Sequence, residues 1–372
     1  MPNTSLIQVI ILGLGAIGAG SAAAWLLRSR RRKPVQRRPT KKGVDRRRQA
    51  RLRAVAAATP CKAVPRYGSL KTADPNQFSL LSWNVLADGL SDKKRLPMVL
   101  PGHTGWHHRA PLIREELHAT APDLVALQEV DPSRWEEMRA WLPGYESLLQ
   151  DKKEESKMLL GLMWKPRLQL VWAEHRSLVM LAEFSFNDGA GNLQTLYLMN
   201  LHLEGSPYRP NDRISQLKSG LLRMTARQEA NGMQPSTCST LVCGDFNSGP
   251  ENCPYRLMHR GRLEGGSTEA GLPQIEVTRT SVSHPYKLYD AYMESGDPLP
   301  WTRKVPGRPA TLDYIWATSD LDLVAVYHPL KGLHGQKLAT SCRGLGGLPN
   351  SLCPSDHLPL GATFRLRSPA LS

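Results

Sequence analysis

Residues 178–202 read LVMLAEFSFNDGAGNLQTLYLMNLH, and this stretch decides the fold. Two apolar runs rich in β-formers, 178–186 and 196–202, flank NDGAGN, whose Asn, Asp and Gly residues tolerate the tight backbone of a hairpin turn. The flanking runs must then be antiparallel neighbours. Outward from this hairpin, the runs 78–85, 124–128, 158–164, 240–243, 312–316 and 361–366 also read as strands. Helical patches fall at 111–121, 133–141 and 212–230, the last with Ile214, Leu217, Leu221, Leu222 and Met224 spaced for one buried face. Strands mixed with helices, a hairpin among them and no internal repeat, predict an α/β or α+β fold with a mixed sheet. A solenoid or propeller is excluded.

Composition sets wider limits. Of the 372 residues 41% are hydrophobic and 22% charged, with a mean hydropathy of −0.37, which excludes a wholly disordered chain and a polytopic membrane protein. The net charge of +15 suggests nucleic acid or an anionic membrane until it is placed along the chain. Residues 28–66 hold 16 Lys and Arg against one acid, Asp45, whereas residues 67–372 hold 32 basic and 32 acidic groups. The excess therefore belongs to one short segment. The six cysteines form no CxxC pair, so neither a structural zinc site nor a disulfide framework is expected.

That basic segment follows residues 6–27, LIQVIILGLGAIGAGSAAAWLL, a run without charge and long enough as a helix to cross a bilayer core. Gly13, Gly15 and Gly18 have the GxGxxG spacing of a dinucleotide-binding turn, but the region about 20 residues on is arginine-rich and lacks the acid such a site requires. The reading is a membrane anchor at 1–27, a basic disordered stalk at 28–74 and a catalytic domain at 75–368. The arginines after the span place that domain in the cytosol, at the endoplasmic reticulum or the mitochondrial outer membrane.

Within the domain, strands end in side chains that packing does not require. Asn84, Glu129 and His202 each close an apolar run; Asp245 and Asn247 follow TLVCG; Asp313 sits in TLDYIW; Asp356 and His357 precede the last strand. Loops at strand ends are where an α/β scaffold carries chemistry. Four acids gathered together repel one another unless a cation joins them, and oxygen donors without cysteine favour Mg²⁺ or Mn²⁺ over Zn²⁺.

The motifs SWNVLAD, LVALQEVD, NLHL, CGDFN, TLDYIW and PSDHLPL, in that order over residues 82–360, resemble the endonuclease/exonuclease/phosphatase superfamily. WNVLAD, the WHHR stretch at 106–109 and LPNSLCPSDHLPL resemble in particular its branch of carbon-catabolite-repressor-type deadenylases, nocturnin and Angel proteins. The resemblance implies a four-layer αββα sandwich of two packed mixed sheets with outer helices. It also implies that Glu129 is the main Mg²⁺ ligand, with Asn84 and Asp356 on the metal side. Asp245 would position and deprotonate the attacking water and Asn247 would hold it or a phosphoryl oxygen. His202 and His357 would donate to the phosphoryl oxygens, with Asp313 orienting His357. Leucine-rich repeats typical of such deadenylases are absent from the sequence, and Ala310 stands where a Gly is common.

The chemistry leaves the substrate open. A 3′-to-5′ exoribonuclease acting on single-stranded RNA tails is the first expectation, a phosphatase of a small nucleotide such as NADP(H) the second, and a noncatalytic membrane-tethered RNA-binding protein the third. Trp83, Trp301 and Tyr314 are candidates for base stacking, Trp301 foremost. Arg109 is expected on a solvated loop carrying His103, His107 and His108, reaching substrate phosphate. No fixed protein partner is indicated. Deleting residues 1–27 should release the protein from membranes on fractionation, and equal membrane association of both forms would remove the span.

Overall fold

The computed structural model describes residues 70–92, 95–151 and 157–367. The expected span at 6–27 lies outside these residues, as does the basic segment up to residue 69. Among the described residues no helix is long and apolar enough to cross a membrane. At Leu70 the chain already belongs to the fold, for this side chain is buried and its N–H donates to Thr120 O at 2.7 Å.

The strands used below are β1 (Gln77–Asn84), β2 (Leu124–Val130), β3 (Glu146–Leu149), β4 (Leu159–Trp164), β5 (Gln169–His175), β6 (Val179–Asn187), β7 (Leu193–His202), β8 (Thr240–Asp245), β9 (Leu288–Asp290), β10 (Asp313–Thr318), β11 (Leu321–Tyr327) and β12 (Leu360–Leu366). They form two mixed six-stranded sheets, in spatial order β11-β12-β1-β2-β4-β3 and β9-β10-β8-β7-β6-β5. The hairpin appears as expected: β6 and β7 pair antiparallel out to Asn187 and Leu193, and Asp188 accepts the backbone N–H groups of Ala190 and Asn192. Each sheet also holds one parallel pair, β1 with β2 and β7 with β8.

Side-chain alternation builds the layers. Phe78, Leu80, Leu124 and Ala126 of the first sheet meet Ala182, Phe184, Leu198 and Leu241 of the second in one buried cluster, so the sheets pack face to face. The alternate residues Leu81, Trp83, Val125 and Leu127 pack instead on Ile113 and Leu117 of helix α1 (Trp106–Thr120) and on Met138 of α2 (Trp135–Ala140). On the far side, Leu181, Met199 and Val242 pack on Ile214, Leu217, Leu221 and Met224 of α3 (Pro210–Ala230) and on Leu257 of α4 (Cys253–Arg260). Each such leucine contributes about 1.5–3 kcal/mol by leaving water.

Two boundaries differ from expectation for physical reasons. Helix α1 begins at Trp106, five residues ahead of Pro111, and carries that proline inside it. The stretch expected as a solvated loop is thereby helical. Strand β8 runs on through Gly244 to Asp245. Gly244 has φ +131°, and a Cβ there would lie 1.9 Å from the carbonyl oxygen of Leu201, its partner on β7. Only glycine lets the two backbones approach so closely. Gly244→Ala should lose about 3 kcal/mol or more in urea unfolding, and a loss below about 0.5 kcal/mol would contradict the close packing.

Candidate active site

Pair register places the polar strand ends side by side. On the second sheet His202 is the partner of Asp245 across β7 and β8, and Asp313 is the partner of Asp245 across β8 and β10. On the first sheet Asn84 is the partner of Gln128. The next residue, Glu129, sits where the pairing of β2 with β4 shifts register, with φ +54°. This bulge re-aims the carboxylate away from the ladder toward the facing sheet. Asn247 also has a positive φ, +47°. Left-handed backbone at two non-glycine residues of one site is strain held by its surroundings.

The side chains converge. Asn84 Nδ2 donates to Glu129 Oε1 and to Asp245 Oδ2, each at 3.0 Å, so one amide joins the two sheets. His202 Nε2 lies 3.7 Å from both of those carboxylate oxygens. His357 Nδ1 is 2.9 Å from Asp313 Oδ2, and its Nε2 is 3.6 Å from Asp245 Oδ2. Thr302 Oγ1 donates to Asp313 Oδ2 at 2.6 Å and Trp83 Nε1 donates to His357 O at 3.0 Å, which fixes both members of that pair. The backbone N–H of Asn247 donates to Asp245 Oδ1 and its Nδ2 to Leu203 O.

Burial lowers the basicity of His357, but the carboxylates of Asp313, Asp245 and Asp356 outweigh it and push its pKa up to about 10. Its ring is a cation at neutral pH, and Nδ1–H donates to Asp313. Burial raises the pKa of Asp245, Asp313 raises it further, and the two histidines pull it back. A base above the ordinary carboxylate range is better matched to taking a proton.

Two groups of side chains lie close enough to share an ion: Glu129, His202 and Asp245, and Asp245, Asp313 and His357, each with ligand atoms within 4.8 Å of one another. In the second the His357 cation already sits between the two carboxylates. The first joins two carboxylates and an imidazole, and its mostly oxygen donor set fits Mg²⁺ or Mn²⁺.

Three expectations change. Asp356 lines the same cleft but lies outside both groups, and Arg303 Nε donates to its Oδ2 at 2.8 Å. Arg109 is wholly buried on α1 and binds carbonyls of the chain instead of reaching solvent. Trp301 packs against the inter-sheet core and does not line the cleft, while Trp83 and Tyr314 are core residues. The rings of His103 and His108 lie 5.0 Å apart, tilted by 33°, and neither belongs to an ion-binding group.

Arg303 and Thr302 were not legible as site residues. Their stretch, WTRKVPGR, reads as an ordinary basic turn, and its pairing with residues 356–358, distant in sequence, brings it to the site. The cleft has a volume of about 620 Å³. Its polar lining includes Arg95, Arg303, Glu129, His202, Asp245 and His357, and its walls are aliphatic, among them Leu86, Leu90, Leu96, Met158 and Leu178.

The chain is 24% identical over 336 residues to the CCR4-Not complex 3′-5′-exoribonuclease subunit Ccr4 of Candida albicans, covering 78% of this chain and 41% of that protein. It is 27% identical over 401 residues to Protein angel homolog 2 of Danio rerio, covering 83% of this chain and 68% of that one. It therefore spans about two fifths of the length of the Ccr4 proteins it matches. In fold it is similar to ANGEL2, a 2′,3′-cyclic phosphatase, in complex with adenosine-2′,3′-vanadate, with a TM-score of 0.62 at 24% identity over 78% of this chain and 96% of that one. The human Nocturnin catalytic domain with bound sulfate gives 0.52 at 20% identity over 80% and 97%. These relatives are of the branch that the motifs indicate. Residues 81–357, the greater part of the chain, match the endonuclease/exonuclease/phosphatase family, and the chain belongs to it.

Proposed function

We propose that the protein is a divalent-metal-dependent phosphodiesterase that removes 3′-terminal nucleotides from single-stranded RNA as 5′-monophosphates. The observation that carries this reading is the meeting of Glu129 and Asn84 from one sheet with His202, Asp245 and His357 from the other, in a single cleft. Similarity to the Ccr4 exoribonuclease subunits supports the choice of RNA.

A Mg²⁺ or Mn²⁺ ion held by Glu129, with Asn84 and His202 or Asp245 beside it, would polarise a phosphoryl oxygen and offset charge on the pentacovalent phosphorus. The chain supplies the rest. Asp245 accepts the proton of a water aligned opposite the leaving 3′-oxygen, and Asn247 holds the Asp245 carboxylate in place through its backbone N–H. His357 Nε2–H donates to a phosphoryl oxygen as its charge grows, while Asp313 and Thr302 keep the ring oriented. Arg303, held by Asp356, lines the same cleft and would add a positive charge beside those oxygens.

One observation favours a second reading, a phosphatase of a small nucleotide such as NADP(H). Among the described residues no Phe, Tyr or Trp lines the cleft, so a ladder of stacked bases lacks its usual platform there. The neutral charge of residues 67–372 points the same way, since a long phosphate backbone finds no net positive surface.

The full chain with Mg²⁺ should shorten 3′-tailed RNA oligomers in a ladder; release of inorganic phosphate from NADPH without a ladder selects the second reading. Asp245→Asn should lower kcat about 10²–10⁴-fold with KM little changed. Wild type inert on both substrates leaves the RNA-binding scaffold. The pair of His357 with Asp313 makes a separate prediction. The folded pKa of His357 is above the ordinary 6.5, so its stabilisation is complete below about 6.5 and is lost as pH rises toward 10. In urea unfolding Asp313→Asn should cost most at about pH 6.5 and least near 10, and a cost constant across that range overturns the assignment of a charged His357.

A further inference from the structure

We infer that Arg109 is a positioning residue, which fixes the peptide between Leu86 and Ala87 so that its N–H holds the Glu129 carboxylate ready for the metal ion. The inference rests on the metal-dependent reading above. It departs from the view of Arg109 as a phosphate-binding side chain.

The geometry is a short relay. Arg109 is 0% exposed, a setting in which an arginine is rare unless every donor is used. Its Nε donates to Thr104 O, its Nη1 to Val85 O at 2.9 Å and Leu86 O at 2.7 Å, and its Nη2 to Asp88 Oδ1 at 2.9 Å. Arg134 Nη2 takes the other oxygen, Asp88 Oδ2, at 3.0 Å. The guanidinium thus clamps 85–88, the turn that leaves β1 directly after Asn84.

The bond to Leu86 O matters most. That oxygen and the Ala87 N–H belong to one planar trans peptide and point in opposite directions. Holding the oxygen against Arg109 therefore aims the N–H the other way, and there it meets Glu129 Oε2 at 3.3 Å. The same peptide follows a residue in left-handed backbone, Leu86 with φ +60°. A leucine does not rest there unaided, and rotation of the preceding 85–86 peptide would relieve it. Two contacts oppose that rotation: Arg109 Nη1 on Val85 O at 2.9 Å, and Asn84 Oδ1, which accepts the Leu86 N–H at 3.0 Å. Glu129 is itself held in left-handed backbone, so its carboxylate is fixed at both ends of a strained pair. With Oε2 on Ala87 and Oε1 on Asn84, neither carboxylate oxygen is free to turn.

Calorimetric titration of the full chain with Mn²⁺ tests this without reference to any substrate. Arg109→Lys keeps the charge but cannot bridge four acceptors, and it should weaken Mn²⁺ binding about 10–100-fold, the range for partners behind a ligand. The melting temperature without metal reads any general damage. Ala87→Pro breaks the relay from its other end, leaving Arg109 in place: it removes the N–H aimed at Glu129 at a residue whose φ, −57°, suits proline. It should weaken Mn²⁺ binding by a similar factor. The two changes act on one peptide, so the double variant should bind no worse than the weaker single. Unchanged Mn²⁺ affinity in Ala87→Pro, or losses that multiply in the double variant, overturn the inference even where Arg109→Lys folds poorly. Wild-type binding that is insensitive to Glu129→Gln overturns both the inference and the metal reading, which separates the two failures.

Discussion

One nitrogen atom, Nδ2 of Asn84, touches carboxylates from both sheets, and the arrangement of the site depends on that contact. Glu129 and Asp245 repel each other and would each prefer water. The amide offers each a hydrogen bond and lets them face across the join of the sheets. Just beneath, Gln128 Nε2 donates to Asn200 Oδ1 at 2.8 Å, and Asn200 Nδ2 returns to Leu127 O and Gly161 O. Such buried polar bonds fix register in a way that apolar packing alone does not. The apolar cluster supplies the adhesion of the sheets and these amides supply their alignment.

Charge balance explains which acids are available for an ion. Asp313 is answered by His357, Asp356 by Arg303, and Asp88 by Arg109 and Arg134. Glu129 pairs with no Arg or Lys among the described residues and Asp245 meets the His357 cation on one side only, so charge is least balanced between these two. An ion settles where positive charge is missing, and this is that place.

Much of the fold was legible because its central strands are buried on both faces and read as apolar runs. Strands 124–128 and 240–243 are of this kind, and both sheets were anchored on them. The strands Glu146–Leu149, Gln169–His175 and Leu321–Tyr327 escaped notice because they lie at or near sheet edges and are only half-buried, so their sequences carry a weak pattern. The residues Asn84, Glu129, His202, Asp245, Asp313 and His357 were legible from motif order and do meet. Arg109 was misread since sequence records a charge and not the depth at which it lies. Arg303 was missed since its place depends on a bridge to His357, far along the chain. Trp301 was a reasonable aromatic at the wrong depth.

The order of strands has a consequence for how the molecule comes into being. The first sheet is opened by β1 and β2 near the start of the domain and is completed only when β12 returns to pair with β1, joining Gln77 to Arg365, with β11 outside it. Asp356 and His357 arrive with that last segment. During synthesis the growing chain carries Glu129 and Asp245 long before it carries the imidazole between Asp245 and Asp313, and β1 waits with an unpaired edge. Pairing at such sequence separation is slow and comes late in folding. The nascent protein is thus chemically incomplete until its final strand closes the sheet, and a chain cut short before residue 356 lacks the cation of its site as well as a strand.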